Sequence, residues 1–280
     1  MIDSTTLRLA IQRNVADALQ EDIGLVDHTA RLITATATAT ASVISREAAT
    51  LCGTGWFEAC LRTLDPDIAI RWHASDGDRI AANQILCEMN GNARALLTAE
   101  RPALNFLQTL SATATRTRLF VDQLTGLSCR IMDTRKTLPG LRIAQKYAVT
   151  CGGGDNQRIG LYDGILIKEN HIAAAGGISA VLASTSQATV PVQIEVENLT
   201  ELQEALAAGA RLILLDNFTI GQLDEAVRHA NGRAILEASG NVSLDNIRQI
   251  ALTGVDRISV GALTKHVEAL DLSMRIMTRP

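Results

Sequence analysis

From residue 129 onward the chain repeats one pattern six times: a short apolar run that leads into a helical stretch. The runs lie at 129–133, 163–168, 191–196, 211–216, 234–238 and 257–261. Parallel strands need a crossover of a dozen or more residues, and most of these runs are separated by about 20 to 30, the length of a βα unit. Six such units predict a parallel α/β barrel with fewer than the usual eight strands.

Upstream the pattern differs. Leu7, Ile11, Val15 and Leu19 recur at i, i+4, which predicts an amphipathic helix over 4–22, with Ser4 as its cap and Gly24 just past its end. The Thr-Ala repeats of 34–44 alternate strictly and read as a strand with Ala on one face and Thr on the other. A short helix around Trp56 to Leu64 follows, then an alternating strand at Ile68, Ile70 and Trp72. Asp76-Gly77-Asp78 and Asn90-Gly91 are turn signals. Residues 94–124 carry helical periodicity, interrupted near Pro102. This first part is α+β.

Composition excludes several classes. Hydrophobic residues make up 47% of the 280, enough for a globular core, while aromatics are only 3%, so that core rests on Ala, Leu, Ile and Val. The net charge is −4, and no basic face interleaved with aromatics marks a nucleic-acid protein. Met1-Ile2-Asp3-Ser4 has no basic region before an apolar stretch, and no apolar run is long enough to span a bilayer, so neither a signal peptide nor a membrane partner is expected. The five cysteines, an odd number without a C-x-x-C pair, read as reduced thiols in a cytoplasmic protein.

The strand ends carry the chemistry. The six runs exit as Asp133-Thr134-Arg135-Lys136, Lys168-Glu169-Asn170, Glu195-Val196-Glu197-Asn198, Asp216-Asn217, Glu237-Ala238-Ser239-Gly240 and Val260-Gly261-Ala262. In a parallel barrel these ends converge on one mouth, where active sites lie. Residues 129–171 hold seven Lys/Arg (Arg130, Arg135, Lys136, Arg142, Lys146, Arg158, Lys168) against four acids, a local +3 in a chain of −4. Such an island attracts a small anion, with arginines gripping carboxylate or phosphate bidentately and lysines acting as point charges. Arg142 and Lys146 fall on the helix after Pro139-Gly140, where surface charge is the plainer explanation.

Gly152-Gly153-Gly154 leads into Asp155-Asn156-Gln157-Arg158 and permits unusual φ angles or close approach of backbone to a ligand. Glu195 and Asp216 suit Mg²⁺, which keeps waters and takes one or two protein carboxylates. The lesser alternative is an ion pair with Lys168 or Arg158, and both arrangements fit different ligation states. Ser239-Gly240-Asn241 and Val260-Gly261-Ala262 occupy the last two strand ends, where barrels bind phosphate through backbone N–H groups, or form ordinary tight turns.

These motifs form a set. Asp133-Thr134-Arg135-Lys136-Thr137-Leu138-Pro139-Gly140-Leu141-Arg142, the 152–161 loop, Ile167-Lys168-Glu169-Asn170-His171, Glu195-Val196-Glu197-Asn198, Leu215-Asp216-Asn217-Phe218 and Ser259-Val260-Gly261-Ala262-Leu263 resemble quinolinate phosphoribosyltransferase. Thr98-Ala99-Glu100-Arg101-Pro102-Ala103-Leu104-Asn105 fits as well. The similarity runs over nearly the whole chain, and the Asp133–Gly140 run is highly specific.

The resemblance implies an α/β protein with an N-terminal α+β sandwich domain (1–112), a C-terminal open parallel α/β barrel of about six strands (113–265), and a tail (266–280) packing back on the first domain. It implies transfer of phosphoribosyl from phosphoribosyl pyrophosphate to quinolinate, with decarboxylation to nicotinate mononucleotide. It also implies a homodimer with shared sites, Arg101 reaching across the interface. Arg135, Arg158 and Lys168, with Thr134 nearby, would hold the two quinolinate carboxylates. Lys136 would face the pyrophosphate, Glu195 and Asp216 the ribose and Mg²⁺, and the 239–241 and 260–262 loops the 5′-phosphate. Lys136, Lys168, Glu195 and Asp216 would form the catalytic set.

The chain departs from the family's usual Asn-His-Arg at Asn156-Gln157-Arg158. Gln157 can donate a hydrogen bond to substrate but cannot be cationic. The glycine common after the serine is also missing at Ser111-Ala112-Thr113. Two other functions compete. Lys168, ending an apolar strand, could serve a Schiff-base aldolase, although several arginines around one mouth suit a dianion better. A non-catalytic ligand-binding relative would carry Gln157 as its mark, but retention of the remaining charged set speaks against it.

Overall fold

The structure, a computed structural model, describes residues 2–277; Met1 and residues 278–280, the end of the expected tail, lie outside the described residues. In chain order the elements are α1 (Ser4–Ile23), β1 (Thr38–Ser45), β2 (Ala49–Thr50), α2 (Thr54–Leu64), β3 (Ala69–Trp72), β4 (Arg79–Ile80), β5 (Ile85–Asn92) and α3 (Ala93–Gln123). There follow β6 (Arg130–Met132), α4 (Arg142–Cys151), β7 (Ile165–Ile167), α5 (Glu169–Ala175), α6 (Ile178–Ser184), β8 (Val192–Val196), α7 (Leu199–Ala207) and β9 (Leu212–Asp216). The last are α8 (Ile220–Ala230), β10 (Ile235–Ser239), α9 (Ile247–Leu252), β11 (Arg257–Ser259), α10 (Ala262–Lys265) and β12 (Leu272–Met277).

Two compact units result. Of the described residues, the first takes 2–118, Thr137–Gly153 and 264–277; the second is Leu119–Lys136 and Gly154–Leu263. The first unit holds an antiparallel sheet in the order β12-β1-β5-β3 and a small β2-β4 pair. Its core combines Ala41 and Val43 of β1, Leu86 and Met89 of β5, Trp56, Phe57 and Leu61 of α2, a long face of α3, and Ala144 and Ala148 of α4. α4 follows the first barrel strand in sequence, yet it belongs to this core. Asn14 ties α1 in by accepting from Trp56 Nε1 at 3.2 Å and donating to the Gly140 carbonyl at 3.1 Å.

Several local expectations shift. α1 is capped by Asp3, whose Oδ1 accepts from Thr5 N and Thr6 N at 2.9 Å, not by Ser4; a carboxylate one residue earlier reaches both exposed amides. β1 starts only at Thr38, because Thr34–Ala37 closes as a turn. Asn90-Gly91 is no turn but the end of β5. Gly91 is required there because a Cβ would stand 2.6 Å from Ile68 Cγ1. α3 runs unbroken through Pro102. A mid-helix proline costs about 3 kcal/mol, which the burial of Leu96, Ala99, Ala103, Leu107, Leu110 and Ala114 on one face outweighs.

The glycine run also has a different cause at its start. A Cβ on Gly152 would lie 2.5 Å from both the Ala114 carbonyl oxygen and Thr117 Cβ, so this glycine lets α4 end against α3. Gly152→Ala is therefore expected to destabilise the protein by about 1–3 kcal/mol through overpacking. A thermal melt superimposable on that of the parent would contradict this.

The second unit is a six-stranded parallel sheet in the order β6-β11-β10-β9-β8-β7. All six strands fall within the six apolar runs or one residue beyond them. β6 and β7 do not pair with each other, so the barrel is open. Where it opens, the segment at Asp155 makes a parallel bridge to Met132. No helix among the described residues is long and apolar enough to cross a membrane.

Candidate active site

The C-terminal ends of the parallel strands surround a cavity of about 330 Å³ lined by Thr134, Arg135, Lys136, Gln157, Arg158, Leu166, Lys168, Glu195, Leu214, Ser239 and Ser259. Nine of these residues, all but Leu166 and Leu214, come from the strand-end and loop motifs singled out in the sequence. The register explains the convergence. Glu195 pairs with Leu214 and Leu214 with Glu237, while Asp216 pairs with Ser239, so these residues share one face of the sheet. Side chains alternate along a strand, and the polar ones at i and i+2 (Gln193 and Glu195, Glu237 and Ser239) therefore stack toward the same mouth.

Arg158 reaches the mouth on a rebuilt loop. Asp133, fully buried at the exit of β6, accepts from Gln157 N and from Asn156 Nδ2, each at 2.8 Å. The bridge between Met132 and Asp155 docks the same loop on β6. Downstream, Asp163 accepts from Ile159 N at 2.8 Å and Gly160 N at 2.9 Å, and Arg158 Nη1 donates to the Gly164 carbonyl at 3.1 Å. Arg158 is thereby held near Arg135. Burial lowers the pKa of its guanidinium, the neighbouring Arg135 charge lowers it further, and Asp163 raises it. Two mutually repelling guanidiniums in one cavity form a site that an anion stabilises.

Lys168 and Glu195 form the closest ion pair of the mouth. Lys168 Nζ stands 2.9 Å from Oε1 and 2.8 Å from Oε2 of Glu195, whose side chain is only 10% exposed. Of the two arrangements open for Glu195, the structure contains the ion pair. An ammonium chelated by a carboxylate also differs from the desolvated neutral amine that Schiff-base chemistry requires. Asp216, partly exposed at the end of β9, accepts from Asn217 Nδ2 at 2.7 Å.

The basic island divides. Arg135, Lys136, Arg158 and Lys168 line the cavity. Arg130 instead makes a bidentate pair with Asp155 at 2.8 and 2.9 Å. Arg142 and the fully buried Lys146 belong to the first unit. Arg101 also belongs to the first unit, where it is exposed on α3 and lines a separate groove with Asp17, Glu21 and Gly140. Asp216, Gly240, Asn241, Val260, Gly261 and Ala262 do not line the cavity itself. Around them the backbone is tightly specified: Asn217, Gly240 and Asn241 have φ of 57°, 95° and 50°. A Cβ on Gly240 would collide with the Asn217 side chain, and one on Gly261 would lie 3.2 Å from Lys136 Cδ.

Sequence reasoning misses the groups beneath the mouth. Glu237 is fully buried and accepts from Gln157 Nε2, Ser259 Oγ and, at 3.1 Å, Gln193 Nε2. Gln157 Nε2 also donates to Gln193 Oε1 at 3.2 Å. The i, i+2 spacing from Glu195 and Ser239 is the signal that could find Gln193 and Glu237.

Comparison with known proteins places this geometry. Residues 27–111 match the family described as quinolinate phosphoribosyl transferase, N-terminal domain, and residues 113–275 match its C-terminal domain. A nicotinate-nucleotide pyrophosphorylase [carboxylating] of Mycobacterium leprae is 40% identical over 277 residues, covering 95% of this chain and 96% of the relative. A quinolinate phosphoribosyltransferase [decarboxylating] of Nicotiana glauca is 38% identical over 284 residues, covering 93% and 81% respectively. The solved nicotinate-nucleotide pyrophosphorylase of Francisella tularensis superposes with a TM-score of 0.93 at 47% identity, covering 96% of each chain.

Proposed function

We infer the division of labour at the barrel mouth from one premise: this chain belongs to the quinolinate phosphoribosyltransferase family. It transfers phosphoribosyl from phosphoribosyl pyrophosphate to the ring nitrogen of quinolinate, yielding nicotinate mononucleotide, pyrophosphate and CO₂ for NAD biosynthesis. The observation that carries our assignment of roles is the gathering of Arg135, Arg158 and Lys168 around one cavity.

Quinolinate is a dianion with adjacent carboxylates on one edge of a pyridine. Arg135 and Arg158 bind those carboxylates, whose negative charge relieves the repulsion between the two guanidiniums, while Lys168 supplies a third charge from its pair with Glu195. The ring nitrogen attacks C1 of the ribose as pyrophosphate leaves. Positive charge grows at C1 and negative charge on the leaving group. Lys136, exposed beside Gly261, meets the leaving pyrophosphate, and the carboxylates of Glu195 and Asp216 stabilise the ribosyl cation. Once the nitrogen is quaternised, the bond to the neighbouring carboxylate breaks, CO₂ leaves, the electron pair stays on the ring carbon beside the positive nitrogen, and that carbon takes up a proton from water. No covalent intermediate with the protein is required. The 239–241 and 260–262 loops, with their specified backbone, take the 5′-phosphate.

Magnesium belongs to this proposal. Glu195 and Asp216 end neighbouring strands, and two carboxylates beside a diphosphate site fit an ion that keeps its waters and borrows substrate oxygens. When bound, Mg²⁺ supplies charge neutralisation on the pyrophosphate. We further propose a homodimer in which the exposed Arg101 serves the partner's site, and a cytoplasmic location, which the five free cysteines suit.

The substrate assignment is tested by comparing quinolinate with nicotinate, which has one carboxylate fewer. Leaving a desolvated arginine without its partner costs about 2–5 kcal/mol, so kcat/KM for nicotinate should be lower by about thirtyfold or more. Comparable efficiencies would sink the assignment of the arginines to two carboxylates.

A further inference from the structure

Glu237 is, like Asp133, a fully buried carboxylate of the mouth region, and none of the roles above uses it. Its two oxygens accept from Gln157 Nε2, Gln193 Nε2 and Ser259 Oγ. Gln157 Nε2 makes a second bond to Gln193 Oε1 at 3.2 Å. A primary amide has two N–H bonds, and both are directed into this network. Flipping the amide would set Gln157 Oε1 against the Glu237 carboxylate, acceptor against acceptor, so the chemistry of the partner fixes the orientation. Gln157 lines the cavity, but its donor end points to the floor.

We propose that Glu237 is a positioning residue for quinolinate recognition: it draws the Gln157 amide donor away from the mouth, so that the substrate's carboxylates meet the cations and not the amide. The proposal rests on the reading that Arg135, Arg158 and Lys168 hold quinolinate. It reverses the role that the loop position alone suggests for Gln157, that of a hydrogen-bond donor to substrate. The side chain at 157 serves instead as a strut between the glycine loop and the buried strand end, and its neutrality leaves recognition to the guanidiniums.

The test is a double-mutant cycle on quinolinate affinity, measured by calorimetry on the full-length enzyme, with phosphoribosyl pyrophosphate affinity as reference. Gln157→Ala alone should weaken quinolinate binding by less than about threefold, since no donor to the substrate is lost. In the Glu237→Gln background the amide at 157 can turn toward the mouth, and Gln157→Ala should then cost about 2- to 13-fold, the value of a neutral hydrogen bond. Affinity for phosphoribosyl pyrophosphate should stay level throughout, which a general loosening of the floor would not leave untouched. Additive effects, or a loss above threefold in the Gln157→Ala single variant, would overturn the proposal. That single variant decides the matter if Glu237→Gln fails to fold. Arg158→Ala separates the two levels of inference. Normal quinolinate binding by that variant overturns the cation reading and this proposal with it, whereas a crippled Arg158→Ala beside an additive cycle overturns this proposal alone.

Discussion

Arg158→Ala is expected to lower kcat/KM for quinolinate by about thirtyfold to several thousandfold, the equivalent of 2–5 kcal/mol for a buried charge left without its partner. The loss should be selective. Arg158 is held by the Gly164 carbonyl and sits close enough to Arg135 for the two charges to repel. In the variant, Arg135 and Lys168 still attract one carboxylate, but the second must be desolvated with nothing to receive it. Nicotinate, which has only one, should lose much less, so the preference between the two substrates should narrow. The KM for phosphoribosyl pyrophosphate should move little, because its charged groups are assigned to Lys136, Glu195, Asp216 and the two phosphate loops. Steady-state kinetics with both pyridines separate the outcomes. An equal loss with quinolinate and nicotinate would mean that Arg158 supports the loop rather than a carboxylate.

The second large effect concerns assembly. Arg101→Ala and Arg135→Ala should each leave an enzyme with almost no activity, the first although Arg101 does not line its own subunit's mouth cavity. Mixed and allowed to exchange, the two variants should recover activity. Random pairing in a two-fold dimer makes half of the dimers hybrids with one intact site of two, so about a quarter of the parental rate should return. Native mass spectrometry can verify exchange before the assay. Hybrids that form without recovering activity would place Arg101 in its own subunit's site or outside catalysis.

Much of the barrel and its mouth is legible in the sequence. The six strands are readable because each is a short apolar run, and parallel strands buried on both faces leave that mark. The mouth is readable because charged residues follow the runs immediately. What stays hidden depends on tertiary contacts. Glu237 reads as a strand exit, but β10 continues to Ser239, which puts Glu237 inside, one alternation below the mouth. Gly152 looks like part of a ligand loop, yet its constraint comes from Ala114 and Thr117, far off in sequence. Their place on a helix sets Arg142 and Lys146 apart from the binding cations, but the surface reading fails for Lys146, which is fully buried, since nothing local reveals that α4 joins the core of the first unit. Pro102 misleads because its local cost is visible in sequence while the burial that offsets it is not.

The sheet of the first unit has an unusual order of supply. β1 is flanked on one side by β5 and on the other by β12, with Ser45 opposite Leu272. During synthesis, β1, β3 and β5 therefore emerge with one long flank unpaired, and it remains so while all six barrel strands are translated. An open flank of this kind is a template for joining other chains. Nascent protein should be most in need of chaperones during that interval. Termination shortly before Leu272 should leave chains that retain every barrel strand and still clump, distinguishable from active-site variants by their appearance in the pellet rather than by slow turnover.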